Sequence, residues 1–171
     1  MNNHSAQLKP ATFGSISHGT LRTEDLLSTF TSELEGLAFL SGDFLSRPEN
    51  FPLRDRLANL IGEAQDAWAE DGETLADEDR AAEMVDELID ALQQFAPAYG
   101  YFGSHPGDGA DFGFGVDPES VKEQVEFVSS KEQEWPADDF VGEWLHVNER
   151  GNCTLYVRDE SGEDREVWSI A

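Results

Sequence analysis

"PAYGYFGSHPGDGADFGFGV", residues 97–116, is where the chain changes texture. Before Pro97, apolar side chains recur every three or four residues. After it, aromatic rings and glycines crowd together. Two aromatic–glycine runs, "AYGYFG" (98–103) and "ADFGFGV" (110–116), flank six polar or turn residues, Ser104 to Gly109. Strand-like runs around such a spacer predict a β-hairpin. Gly107-Asp108-Gly109 is expected to supply the positive φ angles of its turn. Gly103, Gly113 and Gly115 are expected to admit rings or a neighbouring backbone. Tyr101, Phe102, Phe112 and Phe114 are expected to pair across the strands.

Upstream of this border the period is helical. In "TEDLLSTFTSELEGL", Leu26, Leu27, Phe30, Leu34 and Leu37 form a stripe, with Thr23 as the expected N-cap and Glu24 and Asp25 at the positive end of the dipole. Residues 41–51 read as a loop, with Phe44, Leu45 and Phe51 as packing handles. Pro52 suits the first position of a second helix. Its expected stripe is Leu53, Leu57, Leu60, Ala64 and Trp68, with Ile61 beside it and Asp71-Gly72 as the stop. A third helix is expected from Thr74, with Met84, Val85, Leu88, Ile89, Leu92 and Phe95 as its stripe and Pro97 as its end.

Downstream, Asp117-Pro118-Glu119 opens a short helix expected to reach Phe127, and residues 129–139 form an acidic loop with Trp135 as anchor. "EWLHVN", "CTLYVR" and "REVWSI" then alternate around turn residues, which predicts a three-stranded antiparallel meander. The expectation is a single α+β domain over 1–171. A loose arm or edge segment (1–19) precedes a helical layer (20–97), packed on a mostly β part (98–171).

Charge is the strongest functional signal. The chain carries 36 acids against 11 lysines and arginines, a net of −25. Residues 1–60 hold seven acids and five bases, whereas 63–90 hold twelve acids and Arg80 alone. Such a field repels nucleic acid and anionic membranes and favours basic protein surfaces. Asp79, Glu83, Asp86, Glu87 and Asp90 recur at helical spacing opposite the third helix's stripe, and Glu63, Asp66 and Glu70 lie on the second helix. Each four-residue step spans about 6 Å, comparable with the phosphate spacing of a nucleic-acid strand. A fixed line of carboxylates is therefore a candidate imitation of a phosphate ladder. An acidic face without a partner, as in a salt-adapted proteome, is the alternative, and the count of three lysines suits it.

The hairpin offers a second candidate site. His105, Asp108 and Asp111 stand three residues apart and bring one imidazole and two carboxylates to a tight turn. Calcium-loop spacing is missing and no lysine stands near an anion nest, so no metal and no cofactor is expected. His146, beside Trp144, is a candidate carboxylate partner, and Cys153, inside an alternating strand, reads as packing. No G-x-S-x-G, H-E-x-x-H, C-x-x-C or P-loop pattern occurs, so catalysis is not expected. One cysteine excludes an internal disulfide, and no apolar run reaches membrane-span length. No secretion signal is read at the N-terminus, so a cytoplasmic protein is expected.

"YFGSHPGDGADFGFG", "WLHVNERGNCTLYV" and "REVWSI" resemble a group of small proteins of plasmids, integrative elements and their hosts, which carry FGxHxGDGxDFGF and VNxxGNxTLY stretches. The resemblance covers residues 98–171 and "SHGTLRTEDL" upstream. It implies a shared scaffold and a mobile-element setting, without an activity. Glu149-Arg150 stands in the turn where the resemblance implies Asp-His, which removes one possible ligand and weakens any shared metal site. The sequence reading is thus a non-enzymatic acidic protein that binds a basic protein surface. Its concrete form is a DNA mimic acting on a restriction, CRISPR or other DNA-processing complex. The alternative is a mobile-element accessory protein with a small-ligand or metal site at the 101–114 hairpin. A homodimer through the aromatic hairpin is a further expectation.

Overall fold

The structure, a computed structural model, describes residues 7–69, 77–130 and 134–170. Its elements are β1 (Gly14–Ser17), α1 (Thr23–Leu40), α2 (Gly42–Leu45), a 3-10 turn (Pro48–Asn50), α3 (Phe51–Ala69), α4 (Glu78–Gln93), β2 (Gly100–His105), β3 (Asp108–Val116), α5 (Pro118–Gln124), β4 (Phe127–Ser129), β5 (Gly142–Val147), β6 (Cys153–Arg158) and β7 (Asp164–Ile170). This is an α+β protein in which helices predominate before Pro97, after the short β1, and strands predominate beyond it. The chain divides into two compact units: Met1–Pro97 with Tyr101–Gly115, and Ala98–Gly100 with Val116–Ala171.

In the first unit α1 packs against both α3 and α4. Its stripe reaches the core, with Leu27, Phe30 and Leu34 at 0% exposure. The helix begins one residue earlier than a Thr23 cap requires. Arg22 holds the N-cap position and no side chain caps the helix, so Thr23 lies inside it. On α3 the buried residues are Leu57, Leu60, Ala64 and Ala67, while Trp68 is 48% exposed. The buried stripe therefore turns onto the small Ala67 and leaves the indole outside. The proposed stop at Asp71-Gly72 and start at Thr74 lie outside the described residues. Asp77 caps α4, its carboxylate accepting the Arg80 N–H at 3.1 Å.

The 41–51 stretch is more ordered than a loop. α2 and the 3-10 turn occupy it, and Leu45 is buried. Under the helices lies a three-stranded sheet of order β1-β3-β2. β1, from the segment read as a loose arm or edge segment, is an edge strand; it pairs antiparallel with β3 and bulges between Ser15 and Ser17. Phe102 and Phe114 meet at 4.9 Å, and Phe30 of α1 meets Phe102 edge-on at 5.2 Å and Phe112 at 5.5 Å. The aromatic hairpin thus supplies core to the helices, and Phe102 and Phe114 are buried.

The hairpin's glycines have separate reasons. A Cβ at Gly113 would lie 2.2 Å from the Gly14 carbonyl oxygen, so this position lets β1 approach. A Cβ at Gly115 would lie 2.8 Å from the Tyr101 ring, which covers that glycine from the neighbouring strand. The turn itself departs from expectation. Positive φ occurs at Gly14, Gly19, Gly142, Gly151, Gly162 and Tyr99, and not at Gly107, Asp108 or Gly109. The strands extend to His105 and from Asp108, which shortens the connection to Pro106-Gly107.

The second unit is a four-stranded sheet of order β4-β5-β6-β7, with β4 parallel to β5 and the meander antiparallel. Phe127, expected to end a helix, is instead the first residue of β4, because α5 stops at Gln124. Trp144, Leu145, Leu155 and Val121 have 0% exposure. An ion pair joins β6 to the start of β7, with Arg158 buried and Asp164 at the surface. Arg158 donates to Asp164 through Nε (2.9 Å) and Nη2 (2.7 Å), and to the Pro136 and Ala137 carbonyls at 3.0 and 3.1 Å. Trp144 Nε1 donates to the same carboxylate at 3.0 Å. Trp135 sits edge-on to Trp144 at 5.2 Å, which gives the acidic loop its expected anchor although the indole is 55% exposed. Among the described residues no helix is long and apolar enough to cross a membrane.

Candidate functional site

α4 is built to show charge on one side. Ala81, Met84, Val85, Leu88, Ala91 and Leu92 are buried. At about 100° per residue, Asp79, Glu83, Asp86, Glu87 and Asp90 fall within one sector opposite that stripe, and all five are exposed. Glu63 and Asp66 of α3 are exposed as well. Glu70 lies outside the described residues.

Arg80 divides these acids into two groups. Its guanidinium reaches Glu63 across the helix pair at 3.3 Å, Glu87 at 3.3 Å and Glu83 at 3.5 Å. The hydrogen bond to Glu87, then the charge of Glu87, the hydrogen bond to Glu83 and the charge of Glu63 hold the guanidinium in its charged form even more firmly than usual. Asp79, Asp86 and Asp90 make no ion pair among the described residues. They lie nearly in line along the helix, with about 10 Å of rise from Asp79 to Asp86 and about 6 Å from Asp86 to Asp90. A polar cleft of about 460 Å³ adjoins this face, lined in part by Arg56, Asn59, Glu63 and Glu87. The sequence singled out Arg80 as a lone base among acids, but not as the group that draws three of them together.

The hairpin residues are engaged locally. His105 Nδ1 accepts the Gly107 N–H at 3.1 Å, and Asp108 accepts the Ala110 N–H at 3.0 Å. Both side chains hold the turn. Asp111 lies 3.5 Å from His18 Nδ1, so its neighbour is a histidine far upstream. Among the described residues no three His, Cys, Asp or Glu side chains gather as a metal site.

Compared with protein-family models, with curated proteins and with solved structures, the chain matches none.

Three further groups complete the inventory. His146 has a serine neighbour where a carboxylate was expected: its Nδ1 lies 3.4 Å from Ser129 Oγ, and its ring stacks parallel to Trp135. Cys153 is buried against the Gly151 carbonyl, and burial pushes its thiol pKa up, which favours the unreactive form. Tyr99, with φ at 62°, donates its hydroxyl to Glu143. That hydrogen bond, then burial and the charges of Glu143 and Glu126, push the phenol up to about 12. Nothing in the sequence pattern joins Tyr99 to Glu143, because the contact spans 44 positions.

Proposed function

We propose that this is a non-enzymatic acidic protein whose α4 face binds a basic protein surface of the kind that holds nucleic acid. One observation carries the reading. Asp79, Asp86 and Asp90 form a line of exposed carboxylates without ion pairs among the described residues, on a helix whose opposite side is buried. Burial of that stripe fixes the helix, so the charges keep their spacing. α4 carries six acids and Arg80, a net of −5 over about 24 Å, or one charge per about 5 Å. One DNA strand carries one per 3.4 Å. The row is sparser than a single strand's run of phosphates but of the same order, and Glu63 of α3 adds charge at the side. In this reading the carboxylates occupy a groove of a restriction, CRISPR or other DNA-processing complex in place of phosphates.

The test is a binding partner recovered from host extract with the wild-type chain. Its affinity should fall steeply with salt, and duplex DNA should compete for it. An Asp79→Asn, Glu83→Gln, Asp86→Asn, Asp90→Asn variant that still binds with wild-type affinity would refute the reading.

A further inference from the structure

The least charged part of this protein carries its most exposed apolar surface. Phe39 is 83% exposed and Leu40 55% exposed at the end of α1. Beside Phe39, α1 and α3 border an open groove of about 440 Å³, whose walls include Ala38, Leu45, Leu57, Ala58, Ile61 and Gly62. Its charged lining is one acid, Glu35, and one base, Arg54, a net of zero. Residues 1–60 together carry only −2 of the net −25.

We infer that this face joins two copies of the chain, with Phe39 of each copy seated in the groove of the other. Charge argues for this occupant. A basic partner is drawn to α4, whereas a neutral groove offers it no attraction. A second copy, itself at −25, must approach where charge does not oppose it, and this face meets that condition. Geometry agrees with a two-fold contact. Knob and groove lie side by side on one surface, and an isologous dimer needs a self-complementary patch of that kind. The expected hairpin contact is less suited, because Phe102 and Phe114 are spent on the core.

The inference is independent of the α4 reading, and salt separates them. Screening relieves the repulsion between two anionic chains, so salt should strengthen the dimer while it weakens binding at α4. The experiment is sedimentation of the full chain across the micromolar range at low and high salt, with two variants. Phe39→Ala removes the knob from a solvent-exposed position. Gly62→Leu fills the groove from within, since a Cβ there meets nothing within 4 Å. Wild type should be dimeric, more so at high salt, and each variant should weaken association about thirtyfold, the scale of an interface hot spot. Both variants should keep the wild-type circular dichroism. A monomeric wild type, or a dimer indifferent to both substitutions, would overturn the inference. So would a monomer that binds a basic amphipathic peptide in this groove and loses it in Gly62→Leu.

Discussion

Replacing Asp86 and Asp90 together with asparagine should make the protein more stable. Both side chains are exposed and make no ion pair among the described residues, so no attraction is lost. Three like-charge neighbours disappear: Asp86 with Asp90 one turn on, Glu83 with Asp86, and Glu87 with Asp90. Each costs about 0.2–0.5 kcal/mol on a helix surface, giving about 0.6–1.5 kcal/mol. Asp90 also stands in the last turn of a helix that ends at Gln93, where a carboxylate faces the negative end of the dipole. Relieving that adds about 0.3–1 kcal/mol. Aspartate and asparagine have similar helix propensities, so backbone preference changes little. The expected gain is about 1–2.5 kcal/mol in dilute buffer, or about 2–10 °C in Tm for a chain of this size. Urea unfolding at low and at molar salt provides the assay, and the gain should shrink as screening shortens to about 3 Å at 1 M. A variant less stable than wild type, or a gain untouched by salt, would mean that these carboxylates are not held in mutual repulsion. The fixed row would then be wrong.

Further outcomes concern the rest of the fold. Asp164→Asn should lower stability, because the Arg158 guanidinium loses its charged partner and keeps only the Pro136 and Ala137 carbonyls, as read by denaturant unfolding followed by tryptophan fluorescence. Hydrogen bonding from Arg158 holds the Asp164 carboxyl below the usual carboxylate range. Its contribution is therefore complete above the unfolded value near ~4 and fades as pH falls through the folded one. Wild type should lose stability faster than Asp164→Asn on acidification, and parallel curves would contradict the pairing. Of the three tyrosines, one should ionise near 12 in an ultraviolet titration, and Tyr99→Phe should remove that late step. Gly113→Ala should loosen β1, because the added carbon meets the Gly14 carbonyl. Faster amide exchange confined to Gly14–Ser17 would report it, and unchanged exchange would contradict the close approach.

The sequence announced what is local and periodic. Leu27, Phe30, Leu34, Leu88 and Leu92 repeat at helical spacing and are buried, and the alternation in "CTLYVR" marks β6. The acids of α4 were legible for the same reason, since one period places both the stripe and its opposite face. Features set by pairing at a distance were not legible. β4 is too short to announce itself, and it runs parallel to a strand that starts 15 residues after its own first residue. Arg158 and Asp164 are six positions apart, but their value comes from the burial and carbonyls that the sheet and loop provide. At the hairpin Gly113 admits a backbone and Gly115 a ring, as expected, whereas Gly103 makes only an ordinary contact at 3.7 Å. The turn was misread because strand pairing extends over residues whose composition suggests a loop.

Recognition by geometry, as opposed to charge in bulk, is tested most directly by moving charges without removing them. A variant carrying Asp86→Asn and Asp90→Asn with Ser32→Glu and Gln124→Glu keeps the net charge at −25 and transfers two carboxylates to exposed positions on α1 and α5. Its affinity for the basic partner recovered with wild type, measured at fixed salt, should fall nearly as far as that of the Asp86→Asn, Asp90→Asn protein. Affinity equal to wild type would mean that any −25 surface suffices and that the row on α4 recognises nothing.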